Sequence, residues 1–123
     1  DSLCYQVNDV LDAMSADSGI RLSTLKVDGG AAANNYLLQT QADISNAPVE
    51  RPSSVETTAL GAAYLAGLAV GFWSGPEELA KKHAIDKMFV PDISEEERRK
   101  RLRGWHKAVR CAYNWARDDD EDE

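Results

Sequence analysis

Apolar positions along the first third of the chain repeat with two different periods. Leu3, Cys4, Val7, Val10, Leu11 and Met14 recur at intervals of three and four, which predicts a helix from about Ser2 to Asp17. Gly19 stands where a left-handed residue would stop it. The pattern then shortens to a strand over Leu25 to Asp28, a turn at Asp28-Gly29-Gly30, and a second helix over about Ala32 to Ser45 with Leu37, Leu38, Ala42 and Ile44 on its apolar side. Pro48 and Pro52 bracket a short extended piece around Val49. Helix, strand, helix and short strand in that order read as α/β.

Three capping-box patterns follow. Ser53 to Glu56 predicts the start of a helix running from about Glu56 to Val70. Ala59, Ala63, Gly67 and Gly71 place a strip of small residues along one side of it, beside a larger strip of Leu60, Tyr64 and Leu68. Each glycine costs ~1 kcal/mol in helix propensity, so tight packing inside a core is expected to offset it. Ser74 to Glu77, with Pro76 in a helix-start position, predicts a short helix to about Lys82. Lys87 to Val90 read as extended. Ser94 to Glu97 opens a last helix from about Glu95 to Arg117, with Leu102, Trp105, Val109, Ala112 and Ala116 as one apolar seam. The chain opens inside or just before a helix, without an initiating Met or a linker, as expected of a fragment of something longer.

Charge narrows the function classes. The net charge is −7, but Asp118 to Glu123 are all acidic; without them 15 acids face 14 bases. The body is nearly neutral and the last six residues read as a solvated, disordered tail. No broad positive field points to nucleic acid or an anionic membrane. The apolar run Ala59 to Trp73 is 15 residues long, short of the ~20 that a membrane span needs. Cys4 and Cys111 are far apart on apolar helix faces and read as buried, reduced thiols of a cytoplasmic protein. His83 and His106 have no neighbouring cluster at metal-ligand spacing, so no metal site is expected. The run Glu95 to Arg103 reads as a solvated helix face with Glu95–Arg99 and Glu97–Arg101 pairs.

One stretch is left over, "VDGGAAANNYLL". Glycines between a strand and a helix allow unusual dihedrals and carry no Cβ to collide with a ligand. A helix start offers free backbone N–H groups to a phosphate. The Asn34 amide suits the edge of an adenine. Spacing alone favours a plain tight turn with Asn34 as a solvated helix residue. There is no dinucleotide fingerprint and no P-loop.

Taken together, "VDGGAAANNYLLQTQADI", "VERP" and "ETTALGAAYLAGLAVGFW" resemble the C-terminal part of glycerol kinases, in the FGGY carbohydrate-kinase family that also holds xylulokinase and gluconate kinase. The resemblance runs from about Tyr5 to Trp115. It implies that residues 1–117 are part of a helix-rich, actin-like (ribonuclease-H-like) ATPase domain with few strands, followed by the acidic tail 118–123. It implies ATP with Mg²⁺, and transfer of the γ-phosphoryl to a terminal hydroxyl of glycerol. Gly30 and Asn34 match the family's adenine-nucleotide positions, with Gly29 beside them. No catalytic residue, Mg²⁺ ligand or glycerol contact is expected within the chain; those lie upstream in such enzymes, and the fragment alone is expected to be inactive. Partners implied are ATP or ADP, glycerol through upstream residues, the rest of its own chain, and further copies in a homodimer or tetramer. The alternatives are another polyol or pentose kinase of the family, and a non-enzymatic helical interaction module.

Overall fold

A computed structural model describes residues 1–54, 56–81 and 84–115. The chain begins with α1 (Ser2–Ser18), which stops at Gly19 in a left-handed turn (φ 69°). β1 (Leu25–Lys26) leads into a four-residue 3-10 turn, Gly30–Ala33, and then α2 (Asn35–Ser45). β2 (Val49–Pro52), α3 (Thr57–Ala69), α4 (Pro76–Lys81), β3 (Ile85–Phe89) and α5 (Glu95–Cys111) complete the described elements. His83, the predicted helix end at Lys82, Ala116 of the seam and the acidic tail lie outside the described residues.

The sheet order is β1-β2-β3. β1 runs parallel to β2, with Leu25 opposite Val49 and Lys26 opposite Glu50. β3 is antiparallel to β2 from Val49–Phe89 to Pro52–Ile85. The register slips between Arg51 and Pro52, where proline has no N–H to give the ladder.

The core lies between α2 and this sheet. Ala32, Leu38, Ala42, Val49 and Phe89 form it, with Leu25 and Val27 packed alongside. α1 covers the other side of α2, and α5 reaches both. Trp105 of α5 stacks on Tyr5 of α1, ring centroids 5.6 Å apart. Its indole N–H donates to Asp9 Oδ2 at 2.7 Å. Arg98 Nε donates to Ile44 O at 2.7 Å and so ties α5 to the end of α2. The buried carboxylate of Asp43 is partnered, as burial requires. Asp43 Oδ1 accepts from Gln39 Nε2 and from the Asp92 N–H.

Several expectations are corrected. α3 has no buried residue; Ala59, Ala63 and Gly71 are exposed, and of that strip Gly67 is half-buried, against the ring of Trp73. Its cap is Glu56, without a side-chain capping bond, so the Ser53 box does not form. At α4 the reach-back comes from Glu78 rather than Glu77: its Oε2 accepts from the N–H and hydroxyl of Ser74. Helix α5 ends at Cys111, six residues before Arg117. Ser94 does cap it, accepting from the Glu97 N–H at 3.1 Å. Cys4 is fully buried, and burial pushes its thiol above the ordinary range, only partly offset by the N-terminal charge and a backbone hydrogen bond. Cys111, expected to be buried, is exposed at the last residue of α5.

Candidate functional site

The glycine corner sits at the carboxyl end of β1, the end of a parallel strand at which α/β sheets bind ligands. Gly29 has φ 82° and ψ 172°, a region essentially reserved for glycine. A Cβ built on Gly29 or on Gly30 meets nothing within 4 Å. At Gly29 the backbone itself demands glycine. At Gly30 neither a positive φ nor a neighbour does, and the space above it is open. The hydroxyl of Thr57, the first residue of α3, donates to Asp28 Oδ2 and ties the corner to that helix. A cleft of about 320 Å³ adjoins it, lined by Lys26, Val27, Asp28, Glu50, Pro52 and Thr57.

The three alanines do not begin α2 as the pattern predicts. They form the 3-10 turn, with Ala32 N–H bonded to Gly29 O and Asn34 N–H to Ala31 O, both close to 3 Å. Asn34 then leaves helical dihedrals (φ −83°, ψ 105°) and becomes the cap of α2. Its Oδ1 accepts from the Leu37 N–H at 3.1 Å. The amide acceptor is therefore committed to the helix, and Asn34 itself is exposed. Gly29 and Asn34 flank the 3-10 turn that begins at Gly30, and Asn34 holds a capping position rather than the first helical turn.

Arg51 was not singled out by its spacing, yet it has the densest polar contacts near the corner. Its Nη1 donates to Ala32 O at 3.0 Å, to Asn35 Oδ1 at 2.9 Å, and more weakly to Ala33 O at 3.4 Å. Asp86 Oδ2 accepts from its Nε and pairs with Nη2, both at 2.7 Å. Its partners lie 16 to 35 residues away in sequence, so no local pattern announces it.

Among the described residues no group of three or more His, Cys, Asp or Glu could hold a metal ion. His106 lies on an exposed face of α5 with Nε2 3.4 Å from Asp9 Oδ1. Among the same residues no helix is long and apolar enough to cross a membrane.

The C-terminal-domain model of the FGGY family of carbohydrate kinases matches residues 1–70, which include the corner and the cap. The chain belongs to that family. A glycerol kinase of Agathobacter rectalis is 62% identical over 119 residues, 97% of this chain. One from Aliivibrio fischeri is 59% identical over 122 residues, 99% of the chain. The chain spans about a quarter of the length of these curated relatives (24%). Glycerol kinase of Plasmodium falciparum, solved with ADP, superposes with a TM-score of 0.79 at 33% identity, over 90% of this chain and 22% of that one. Xylulose kinase of Lactobacillus acidophilus superposes at 0.61 with 21% identity over 89% of this chain and 22% of that one, a likeness of fold. The FGGY chain thus has the helix-rich, actin-like (ribonuclease-H-like) ATPase architecture of sugar kinases, with a small three-stranded sheet in the described part.

Proposed function

We propose that this chain is the C-terminal part of an ATP-dependent glycerol kinase and forms one wall of its adenine-nucleotide site. The observation that carries the reading is identity near 60% to glycerol kinases over almost the whole chain, joined to a corner kept open at Gly30 for no reason internal to the chain. Identity at that level favours glycerol over pentose or gluconate substrates, whose kinases share the fold at 21% and 19%. Residues 1–117 would be the domain portion and 118–123 a solvated tail.

In this reading the nucleotide lies over Gly29 and Gly30, where a side chain would intrude. The Nδ2 group of Asn34 donates to a ring nitrogen of adenine while Oδ1 holds the helix. Phosphoryl transfer from ATP to a terminal hydroxyl of glycerol depends on positioning and charge stabilisation. This chain contributes positioning. The catalytic base and the glycerol contacts come from polypeptide outside these residues, so the chain alone is inactive. Mg²⁺ would serve the ATP phosphates, but the described residues provide no group of three or more His, Cys, Asp or Glu to cage it. A cytoplasmic location and assembly as a homodimer or tetramer go with the same reading.

The capping geometry supplies a sharper test than removal of the side chain. Serine caps a helix as well as asparagine does but lacks the amide donors. Asn34→Ser in the full-length protein should keep its thermal midpoint and lose about 5- to 150-fold in ADP affinity, the worth of one buried amide contact. The Michaelis constant for glycerol should hold. Unchanged ADP affinity would remove Asn34 from the nucleotide site. Failure of the unmutated protein to bind ADP in a calorimetric titration would favour the interaction-module alternative.

A further inference from the structure

We propose that Arg51, oriented by Asp86, is a positioning residue that fixes the glycine corner and the Asn34 cap; this rests on the nucleotide-site reading above. The reason lies in the backbone bonds of residues 30 to 38. Alanine is the best helix former, and Ala31-Ala32-Ala33 directly precede α2. Were the helix to run through them, Ala32 O and Ala33 O would accept from the N–H groups four residues on, at Tyr36 and Leu37. Both ends of the Ala33–Leu37 bond have other partners, and so does Ala32 O. Arg51 Nη1 holds Ala32 O and Ala33 O, and Asn34 Oδ1 holds the Leu37 N–H. The break at Asn34 is thus maintained from two sides, by its own amide and by a guanidinium from the neighbouring strand.

Asp86 makes the arrangement directional. It takes Nε and Nη2 on one side of the guanidinium and leaves Nη1 facing the turn. The Phe89 ring lies under the guanidinium, 5.5 Å from its carbon to the ring centroid. The Arg51 side chain is only 13% exposed, so its fork is held by packing as well as by charge. A lysine keeps the charge but has a single nitrogen and cannot span Asp86 and the two carbonyls.

Loss of Arg51 releases the alanines to join α2. Asn34 then stops being a cap, its Nδ2 turns with it, and the corner at Gly29 moves. The full-length protein carrying Arg51→Gln is therefore expected to bind ADP about 5- to 20-fold more weakly, the lower part of the loss expected for the Asn34 contact itself. Its Michaelis constant for ATP should rise in step while that for glycerol stays within about 2-fold. Arg51→Lys should recover part of the affinity. Asp86→Asn, at a half-exposed position, should shift ADP binding in the same direction by less, and it remains informative if Arg51→Gln does not fold. Unchanged ADP affinity in Asp86→Asn and Arg51→Gln, or an equal loss for ATP and glycerol, would overturn the proposal. Absence of ADP binding in the unmutated protein would instead overturn the nucleotide-site reading on which it stands.

Discussion

α2 and α3 are of similar length, 11 and 13 residues, and their surroundings are opposite to their compositions. α2 carries Gln39, Thr40, Gln41 and Asp43, yet six of its residues are buried. α3 carries no charged residue and buries none. The difference is in what surrounds them. α2 is enclosed by α1, α5 and the sheet, and its polar side chains find partners there, Gln41 on Cys4 O and Asp43 on the Asp92 N–H. α3 is fastened at its first residue, through Thr57 to Asp28, and past its middle, where Tyr64 meets the edge of Trp73 at 5.3 Å. Between those points Thr58, Ala59, Ala62 and Ala63 are exposed, and Leu65, just beyond them, is 71% exposed. Composition states what a helix can tolerate; the contacts decide what it buries.

The largest expected effect breaks the comparison at its apolar centres. Leu38→Ala removes a buried side chain of the core and should cost about 2–5 kcal/mol, measured by denaturant unfolding of the full-length protein. Leu65→Ala is the matched change in α3. A helix apolar on every side is ordinarily interior, so its cost in the full-length protein should exceed the ~0.5 kcal/mol of a surface substitution. A cost within that limit would mean that α3 is surface in the complete protein as well.

The same contrast explains what was legible beforehand. α1 and its Gly19 stop, the Ser94 cap and the Glu–Arg pairs of α5 depend on residues within four positions of one another, and local spacing finds them. The glycine corner was legible because glycine at a strand end has few uses. The 3-10 turn was not. Three alanines signal helix, and what holds them out of it is Arg51, 18 and 19 residues from the carbonyls it binds. For the same reason Asn34 reads from the pattern as a helical residue, where it is the cap. The burial of α3 was over-read: a strip of small residues states that close packing is possible, while the packing partner need not be in the same stretch of chain.

Within α3 two glycines sharpen the point, with a smaller effect and opposite signs. A Cβ on Gly67 would lie 2.1 Å from Trp73 Cζ3 and 2.3 Å from Cε3, too close for the ring to stay where it is. Gly67→Ala should destabilise by about 1–3 kcal/mol as an overpacked contact. A Cβ on Gly61 meets nothing within 4 Å, and Gly61→Ala should stabilise by up to ~1 kcal/mol through helix propensity. Thermal midpoints of the two variants should move in opposite directions. Movement of both downward would show that Gly61 also faces a neighbour in the full-length protein.

α5 is the third case, exposed like α3 but charged, and its pairs should give the smallest effect. Glu95 and Glu97 have carboxyls held below the ordinary range, first by hydrogen bonds from Arg99 and Arg101; desolvation opposes this next, and the nearby cationic charges add to the lowering. Those bonds are short, 2.7 and 2.8 Å, but both carboxylates are at the surface, where such pairs contribute little and are screened by salt. A carboxyl whose folded value is depressed stabilises the fold above its unfolded value and loses that contribution as pH falls through the folded one. The window therefore opens below about pH 4.3, the ordinary glutamate value. The double variant Glu95→Gln/Glu97→Gln should melt slightly below the unmutated protein at pH 7, and the gap should close as pH drops below that window. It should also narrow in high salt at pH 7. A gap that persists undiminished at pH 3 would mean that these glutamates act through their helix-capping shape and not through their charge.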